Sequence, residues 1–178
     1  TGHTGFKGGW LSVLLNSLGA EISGLALSPT GKNNFFKSVK LSKILKNDFR
    51  QDISNIEKLR ETIKKCKPDI IFHLAAQSSV IESFNNSHNT IMSNIVGTAN
   101  ILEIIKENKN IKAAVLITTD KVYQNYKFKK YFNENSQLGG DDIYSGSKAC
   151  CELLAHSYRK SFIDKLECNI VTVRAGNC

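Results

Sequence analysis

Apolar runs alternate along the chain with longer stretches of mixed polarity. Four runs have the length and composition of buried strands, and the longer stretches between them have a helical period. This alternation predicts an α/β fold, a doubly wound parallel sheet covered by helices. The predicted strands are "AEISGLAL" (20–27), "DIIFHLAA" (69–76), "KAAVLITT" (112–119) and "CNIVTVRA" (168–175).

Helices and one long loop are predicted between these strands. Apolar residues recur at intervals of three and four from 56 to 66 and again from 91 to 105, which predicts two amphipathic helices. Pro68 ends the first helix just before the next strand, because proline lacks the N–H that a helix needs. Segment 124–143 contains two adjacent glycines and two adjacent aspartates, and it is predicted to be a long loop.

Composition limits the possible classes of protein. With 178 residues, 41% hydrophobic and 22% charged, the chain fits one domain, and it lacks the apolar run of about 18 residues that a membrane span needs. The net charge of +8 comes from lysines without interleaved aromatic residues. We therefore expect a solvated basic surface that attracts a phosphate-bearing ligand, and neither nucleic acid nor membrane as a partner.

The cysteines point to a reducing compartment. None of the five shows the C-x-x-C spacing of a zinc site or a redox dithiol. We expect free thiols in the cytoplasm and no metal site.

The glycines of "TGHTGFKGGWLSVLL" (1–15) are typical of a dinucleotide-binding loop. Gly2, Gly5 and Gly8 are three residues apart and lead into an apolar helix, an arrangement that brings backbone N–H groups and a helix N-terminus to a pyrophosphate. The spacing alone also fits a tight turn with close helix packing. A phosphate-binding loop follows a central strand, so we expect the given sequence to be cut at its start.

Two further patterns carry chemistry. Thr119, Asp120 and Lys121 follow an apolar strand, at the edge of a parallel sheet where ligands bind. Tyr144 and Lys148 are four residues apart and share one face of a helix, where an ammonium is expected to lower the pKa of the phenol from about 10. For Asp120 and Lys121 the alternative is a surface salt bridge without chemistry. For Tyr144 and Lys148 the alternative is a Y-x-x-x-K spacing that arises by chance.

Taken together, six motifs resemble the extended short-chain dehydrogenase/reductase family. The resemblance covers nearly the whole chain and implies a Rossmann-like domain over 1–178, cut at both ends and without the smaller lobe that grips the nucleotide. The motifs are T-G-x-x-G-F-x-G (1–8), "HLAAQ" (73–77), "NIVGT" (94–98), "TTDKVY" (118–123), "YSGSK" (144–148) and "RAGN" (174–177).

Within that family the loops look most like those of nucleotide-sugar 4,6-dehydratases that act on CDP-glucose, which make the 4-keto-6-deoxy precursor of bacterial dideoxyhexoses. The resemblance implies that Tyr144, helped by Lys148, takes the proton of the sugar 4-hydroxyl. It also implies that Asp120 is the acid at the 6-hydroxyl, that Lys121 is the base or a polariser at C5, and that Thr119 binds the 4-oxygen.

The resemblance also implies binding roles. Gln77 and Asn177 would contact the nucleotide sugar, and Asn94 would support the active-site helix. The implied cofactor-binding residues are Gly2, Gly5, Phe6, Gly8, Asp52, Ile53, Leu74, Ala75, Ala76, Asn94, Tyr144 and Lys148.

Two departures from the family pattern bear on the cofactor. His3 replaces a small residue and is expected to crowd the pyrophosphate. No acid follows the strand at 20–27, where NAD-specific members hold the ribose hydroxyls, and Lys32 could instead meet a 2'-phosphate. We expect NAD and keep NADP as the alternative.

Other readings stay open at this point. One is a different nucleotide-sugar enzyme, either a 4-epimerase or a dehydratase for TDP- or GDP-sugars. The epimerase needs no Asp-Lys pair, and those dehydratases usually have Glu in place of Lys121. Another is a cofactor-binding module without turnover. We expect a cytoplasmic homodimer for the full-length protein.

Overall fold

The computed structural model describes residues 1–31, 34–124, 131–162 and 167–176, and strands alternate with helices within them. A π-helical turn, Met92–Val96, follows α5, and a 3₁₀ turn, Asp120–Val122, follows β4. The strands are β1 (Ser23–Ala26), β2 (Asn47–Arg50), β3 (Ile70–His73), β4 (Ala113–Thr119) and β5 (Asn169–Ala175). The α-helices are α1 (Phe6–Ser17), α2 (Phe35–Ser38), α3 (Ile56–Cys66), α4 (Val80–Asn85), α5 (Ser87–Ile91), α6 (Gly97–Glu107) and α7 (Ile143–Ser161).

All strand pairs among the described residues are parallel, as predicted. β1 pairs with β2, while β3, β4 and β5 form a second sheet in that order. The four predicted strands are therefore confirmed. β2 was not predicted, because "NDFR" contains a single apolar residue.

Thr1 and Gly2 join the two sheets at their carboxyl edge. Gly2 N donates to Leu25 O on β1 at 2.8 Å, Thr1 N donates to Phe72 O on β3 at 2.6 Å, and Leu74 N donates to Thr1 O at 3.2 Å. An apolar groove of about 380 Å³ lies between β1 and β3. The prediction of a central strand before the glycine loop remains a prediction. The groove is lined mainly by Leu11, Leu15, Phe49, Leu59, Ile71 and Ile101.

The two predicted amphipathic helices supply much of the core. α3 ends at Cys66, and Lys67 takes a left-handed conformation (φ 46°) before Pro68, as the proline predicts. The second helix is interrupted by the π-helical turn, and α6 then buries most of its apolar side chains against the second sheet. Among the described residues, no helix has both the length and the apolar character needed to cross a bilayer.

Candidate active site

The glycine loop is built so closely that side chains are excluded. Gly2 has a φ of +79°, and a Cβ there would lie 2.6 Å from Ala75 N. A Cβ on Gly8 would lie 2.2 Å from Gly2 O. Gly5 stands immediately before α1 and directs no capping side chain at the helix N-terminus. Backbone N–H groups and the positive end of the helix dipole are thus left to bind an anion such as a pyrophosphate.

A cleft of about 1180 Å³ runs along the carboxyl edges of both sheets, from the glycine loop to the start of α7. This is where a doubly wound fold binds its ligands. The volume and the glycine cradle fit a dinucleotide with a second ligand beside it. The wall contains most of the residues predicted to bind cofactor or substrate: Gly2, Gly5, Phe6, Gly8, Asp52, Ile53, Leu74, Ala75, Ala76, Gln77, Tyr144 and Lys148.

Asn94 lies behind the wall rather than in it, with 1% of its surface exposed. Its Oδ1 accepts from Gln77 N at 2.8 Å, while Nδ2 donates to Gln77 O at 3.0 Å and to Ser147 Oγ at 2.9 Å. Asn94 therefore fixes the backbone of Gln77 against α7. Asn94 lies in a π-helical turn, and such turns are frequent at functional sites.

His3 does not crowd the cleft, so that expectation was wrong. The ring is buried beneath the loop, in the space that a Cβ on Gly24 would occupy, and it meets Phe36 edge-on. Its Nε2 lies 3.0 Å from Asp48 Oδ1. Burial lowers the pKa of His3, although the contact with Asp48 opposes that effect.

The strand end after β4 forms a compact group that we call the Thr-Asp-Lys turn: Thr119, Asp120 and Lys121. Thr119 is buried, and its hydroxyl donates to Asp120 Oδ1 at 3.1 Å and accepts from Lys121 N at 3.4 Å. Lys121 Nζ lies 3.7 Å from Asp120 Oδ1. Thr119 and Lys121 line the cleft, with Asp120 between them.

Tyr144 and Lys148 lie on the first turns of α7, whose N-terminus is capped by Asp142. Lys148 is buried, and its Nζ donates to Ile117 O at 2.8 Å. Tyr144 hydrogen-bonds with Thr119, which brings the two predicted catalytic groups together in one cleft.

The expected effect of Lys148 on Tyr144 was wrong for this arrangement. Burial raises the pKa of Tyr144 above its usual value, and the hydrogen bond with Thr119 opposes this only in part. Burial also lowers the pKa of Lys148. The cost of removing charges from water thus exceeds the attraction that the four-residue spacing suggested.

Sequence reasoning missed two residues beside the cleft, Glu152 and Arg174, which form an ion pair at 3.1 Å. The only signal for Glu152 was its spacing of four from Lys148, on the face that carries Tyr144. Two of the earlier predictions, Lys32 and Asn177, lie outside the described residues.

The end of β1 contributes Leu27 and Thr30 to the cleft, and Arg50 Nη1 donates to Leu27 O at 3.3 Å. Residues 27–38 contain no acid that could bind ribose hydroxyls. The wall contains two carboxylates, Asp52 and Glu82, and Asp52 accepts from Ser54 N at 2.8 Å.

Comparisons with known proteins agree with this geometry. The family described as GDP-mannose 4,6 dehydratase matches residues 1–173. CDP-glucose 4,6-dehydratase of Salmonella typhimurium is 42% identical over 182 residues, covering 99% of this chain and 50% of that enzyme. The dTDP-glucose 4,6-dehydratase of Bacillus anthracis, solved in complex with NAD, is 28% identical with a TM-score of 0.76, covering 96% of this chain and 52% of that one.

A UDP-glucose 4-epimerase of Thermus thermophilus, solved with NAD, shares the fold at a TM-score of 0.80 and 24% identity, covering 97% of this chain and 52% of the epimerase. The chain spans about half the length of the relatives it matches. The resemblance to extended short-chain dehydrogenases/reductases and the Rossmann-like fold are confirmed. By the match over 1–173 and the identity to a 4,6-dehydratase along nearly the whole chain, the protein belongs to the GDP-mannose 4,6-dehydratase family.

Proposed function

We propose that the protein is a nucleotide-sugar 4,6-dehydratase that converts CDP-glucose to CDP-4-keto-6-deoxyglucose. One observation carries the proposal: the cleft that contains Tyr144 and Lys148 is also lined by two residues of the Thr-Asp-Lys turn, Thr119 and Lys121. The third, Asp120, accepts a hydrogen bond from Thr119. An oxidation at C4 needs only one base, whereas loss of water needs a second acid and base. The Lys at the end of the turn and the identity to the Salmonella enzyme favour CDP-glucose.

Oxidation at C4 uses Tyr144 and Thr119. Tyr144 accepts the proton of the 4-hydroxyl, while Thr119 holds the same oxygen. A bound oxidised nicotinamide would accept the hydride from C4 and return the same hydride to C6. Burial raises the pKa of Tyr144, so the phenol needs a neighbouring donor or positive charge to ionise.

Elimination uses the other two residues of the turn. The 4-ketone acidifies C5–H, so Lys121 either removes the C5 proton or polarises the adjoining carbonyl. Asp120 donates a proton to the 6-hydroxyl, which leaves as water. The Thr119 contact to Asp120 and the Asp120 contact to Lys121 keep the acid next to the base.

We infer that the cofactor is NAD, on the strength of the relatives solved with it. Titration of NAD and NADP by calorimetry tests this, and binding of NADP at least as tight as that of NAD would overturn it. We further expect the complete gene product to act in the cytoplasm as a homodimer, and gel filtration at several concentrations tests its assembly.

The decisive experiment follows one turnover of CDP-glucose in the complete gene product. Asp120→Asn should still allow hydride transfer but slow the loss of water, so reduced cofactor accumulates and its absorbance rises. Lys121→Met should slow exchange of the C5 hydrogen with deuterated water.

Matched controls come from outside the cleft. Asp69→Asn and Lys109→Met change the same residue types and should leave both readouts at the parent value. If Asp120→Asn and Lys121→Met also eliminate water at the parent rate, the dehydratase assignment fails. Formation of the 4-epimer would identify an epimerase instead.

A further inference from the structure

Glu152 is a buried carboxylate on the helix face that carries Tyr144 and Lys148. Only 4% of its surface is exposed. Thr118 Oγ1 of β4 donates to its Oε1 at 2.5 Å, and Thr172 Oγ1 of β5 donates to its Oε2 at 2.8 Å. One side chain of α7 thus binds both strands that border the catalytic end of the cleft.

Arg174 adds a third bond and extends the group. Its Nη2 donates to Glu152 Oε2 at 3.1 Å, and its Nη1 donates to Glu134 O at 3.2 Å. Its guanidinium lies over the ring of Tyr123, 5.0 Å from the centroid. Burial alone would raise the pKa of Glu152, but the hydrogen bonds to it outweigh burial and lower that pKa, so the pair is charged.

These contacts hold the Thr-Asp-Lys turn from both sides. Thr118 immediately precedes the turn, and Tyr123 follows it by two residues. We propose that Glu152 and Arg174 are positioning residues that keep the Thr-Asp-Lys turn aligned with Tyr144 for the elimination step. This inference rests on the proposed dehydratase function.

A positioning role explains the pair better than a contribution to stability does. A buried ion pair costs desolvation, and well-packed apolar residues often stabilise a core equally well. The pair adds directional bonds, since a guanidinium holds two acceptors in a fixed geometry. Displacement of a catalytic group by about 1 Å can lower a rate by about 100-fold.

Arg174→Ala in the complete gene product tests the arginine. We expect the rate of water loss to fall by about 10-fold to 100-fold, with accumulation of reduced cofactor and an unchanged KM. Guanidinium ion added at millimolar concentration should restore part of the rate. The control is Arg159→Ala, because Arg159 Nη1 also bonds from α7 to β5, at Ile170 O (3.1 Å), but in the last turn of α7, far from Tyr144 along the helix.

Glu152→Gln tests the carboxylate with little change in volume. Gln retains an oxygen for Thr118 but loses the charge that binds Arg174, so elimination should slow while hydride transfer stays near the parent rate. The control is Glu103→Gln, which removes a carboxylate that accepts from Tyr158 Oη at 2.5 Å, away from the cleft.

Amide hydrogen exchange gives a readout that does not depend on turnover. With NAD bound, Arg174→Ala and Glu152→Gln should both exchange faster in 119–124 and 131–138 while 56–66 keeps the parent rate. Amide exchange that is unchanged in the variants, or that rises in every segment, overturns the positioning role. Faster exchange in these two segments together with water loss at the parent rate overturns it as well. If the parent protein makes no 4-keto-6-deoxy product, the proposed function is refuted, and the role of the pair in elimination is refuted with it. The exchange data then decide whether Glu152 and Arg174 order the Thr-Asp-Lys turn.

Discussion

The two ends of the cleft are built from different parts of the chain. At the end formed by the glycine loop and the β1–β2 sheet, the wall is mostly backbone, and glycines leave room for a ligand. At the end formed by β4, β5 and α7, the wall consists of side chains held by hydrogen bonds, since Thr119 donates to Asp120 Oδ1 and Lys148 donates to Ile117 O. The first end is suited to holding a ligand and the second to moving protons.

This difference determines how a substitution acts. A change at the backbone end alters the space available, so it affects folding and cofactor affinity together. A change at the side-chain end removes one functional group from a network whose backbone stays in place, so it affects rate with little effect on binding. Four predictions test this contrast, in order of decreasing effect.

Tyr144→Phe should have the largest effect, because it removes the proposed base and keeps the ring. We expect the turnover rate of the complete gene product to fall by about 10²–10⁴-fold, the usual contribution of a positioned acid or base. Nucleotide-sugar affinity, measured by calorimetry, should hardly change. Tyr131→Phe is the control, since Tyr131 is fully exposed, and near-normal turnover of Tyr144→Phe would show that another group takes the proton.

Gly8→Ala should act by steric conflict at the backbone end. The new Cβ would lie 2.2 Å from Gly2 O, so the loop must shift, at a cost of about 1–3 kcal/mol in the free energy of unfolding. Urea unfolding and NAD titration measure the two consequences. Gly5→Ala is the comparison, because its Cβ would be 3.4 Å from Gly2 O and should cost far less stability. Equal stability of the two variants would contradict the close approach.

Two buried histidines, His3 and His73, should titrate differently. Burial lowers the pKa of His3 and holds that of His73 well below its ordinary value of 6.5, where the nearby charge of Lys148 adds to the effect. The unfolded chain therefore binds protons that the fold does not, and stability falls as pH drops below 6.5. Each histidine contributes a slope of at most about 1.4 kcal/mol per pH unit.

The contact with Asp48 opposes the lowering of the His3 pKa. The loss of stability that is due to His73 should therefore extend to lower pH values than the loss that is due to His3. Urea unfolding at pH values from about 7.5 to about 5, on both sides of the ordinary histidine pKa, measures the slope of stability against pH. His73→Asn should flatten it more than His3→Asn. An unchanged slope in His73→Asn would refute the assignment.

Lys121→Met should have the smallest effect on stability. The pair with Asp120 is separated by 3.7 Å and both side chains are partly exposed, so its loss should cost at most about 1 kcal/mol. Thermal unfolding measures this, with Lys46→Met as the control, because its pair with Glu21 is also exposed. A much larger loss would mean that Lys121 is structural.

Patterns of local sequence were enough to predict most of the fold and the edge that carries the site. Four strands and the α3 helix follow from periodicity, and the glycine loop and the strand end of the cleft follow from local patterns. The other cleft residues, such as Asp52, Ile53 and 74–77, came only from the family resemblance. β2 was missed because its backbone pairs with β1 while its side chains are mainly polar. Periodicity describes what a strand buries, and β2 buries little.

The remaining errors depend on distances between segments far apart in sequence. The location of His3 is set by Asp48 and Gly24, and the contact between Glu152 and Arg174 joins a helix to a strand. The pKa of Tyr144 depends on burial, which the Y-x-x-x-K spacing does not contain. Desolvation is a property of the folded chain, so sequence spacing gave the wrong direction.

The sheet formed by β3, β4 and β5 also has a consequence for how the chain opens. Seven residue pairs join β4 to β5, and the Thr-Asp-Lys turn follows at the end of β4. Local openings should therefore be rarer within β4 than in the exposed segment 131–135. A protease should cut that segment before it cuts any peptide bond of β4.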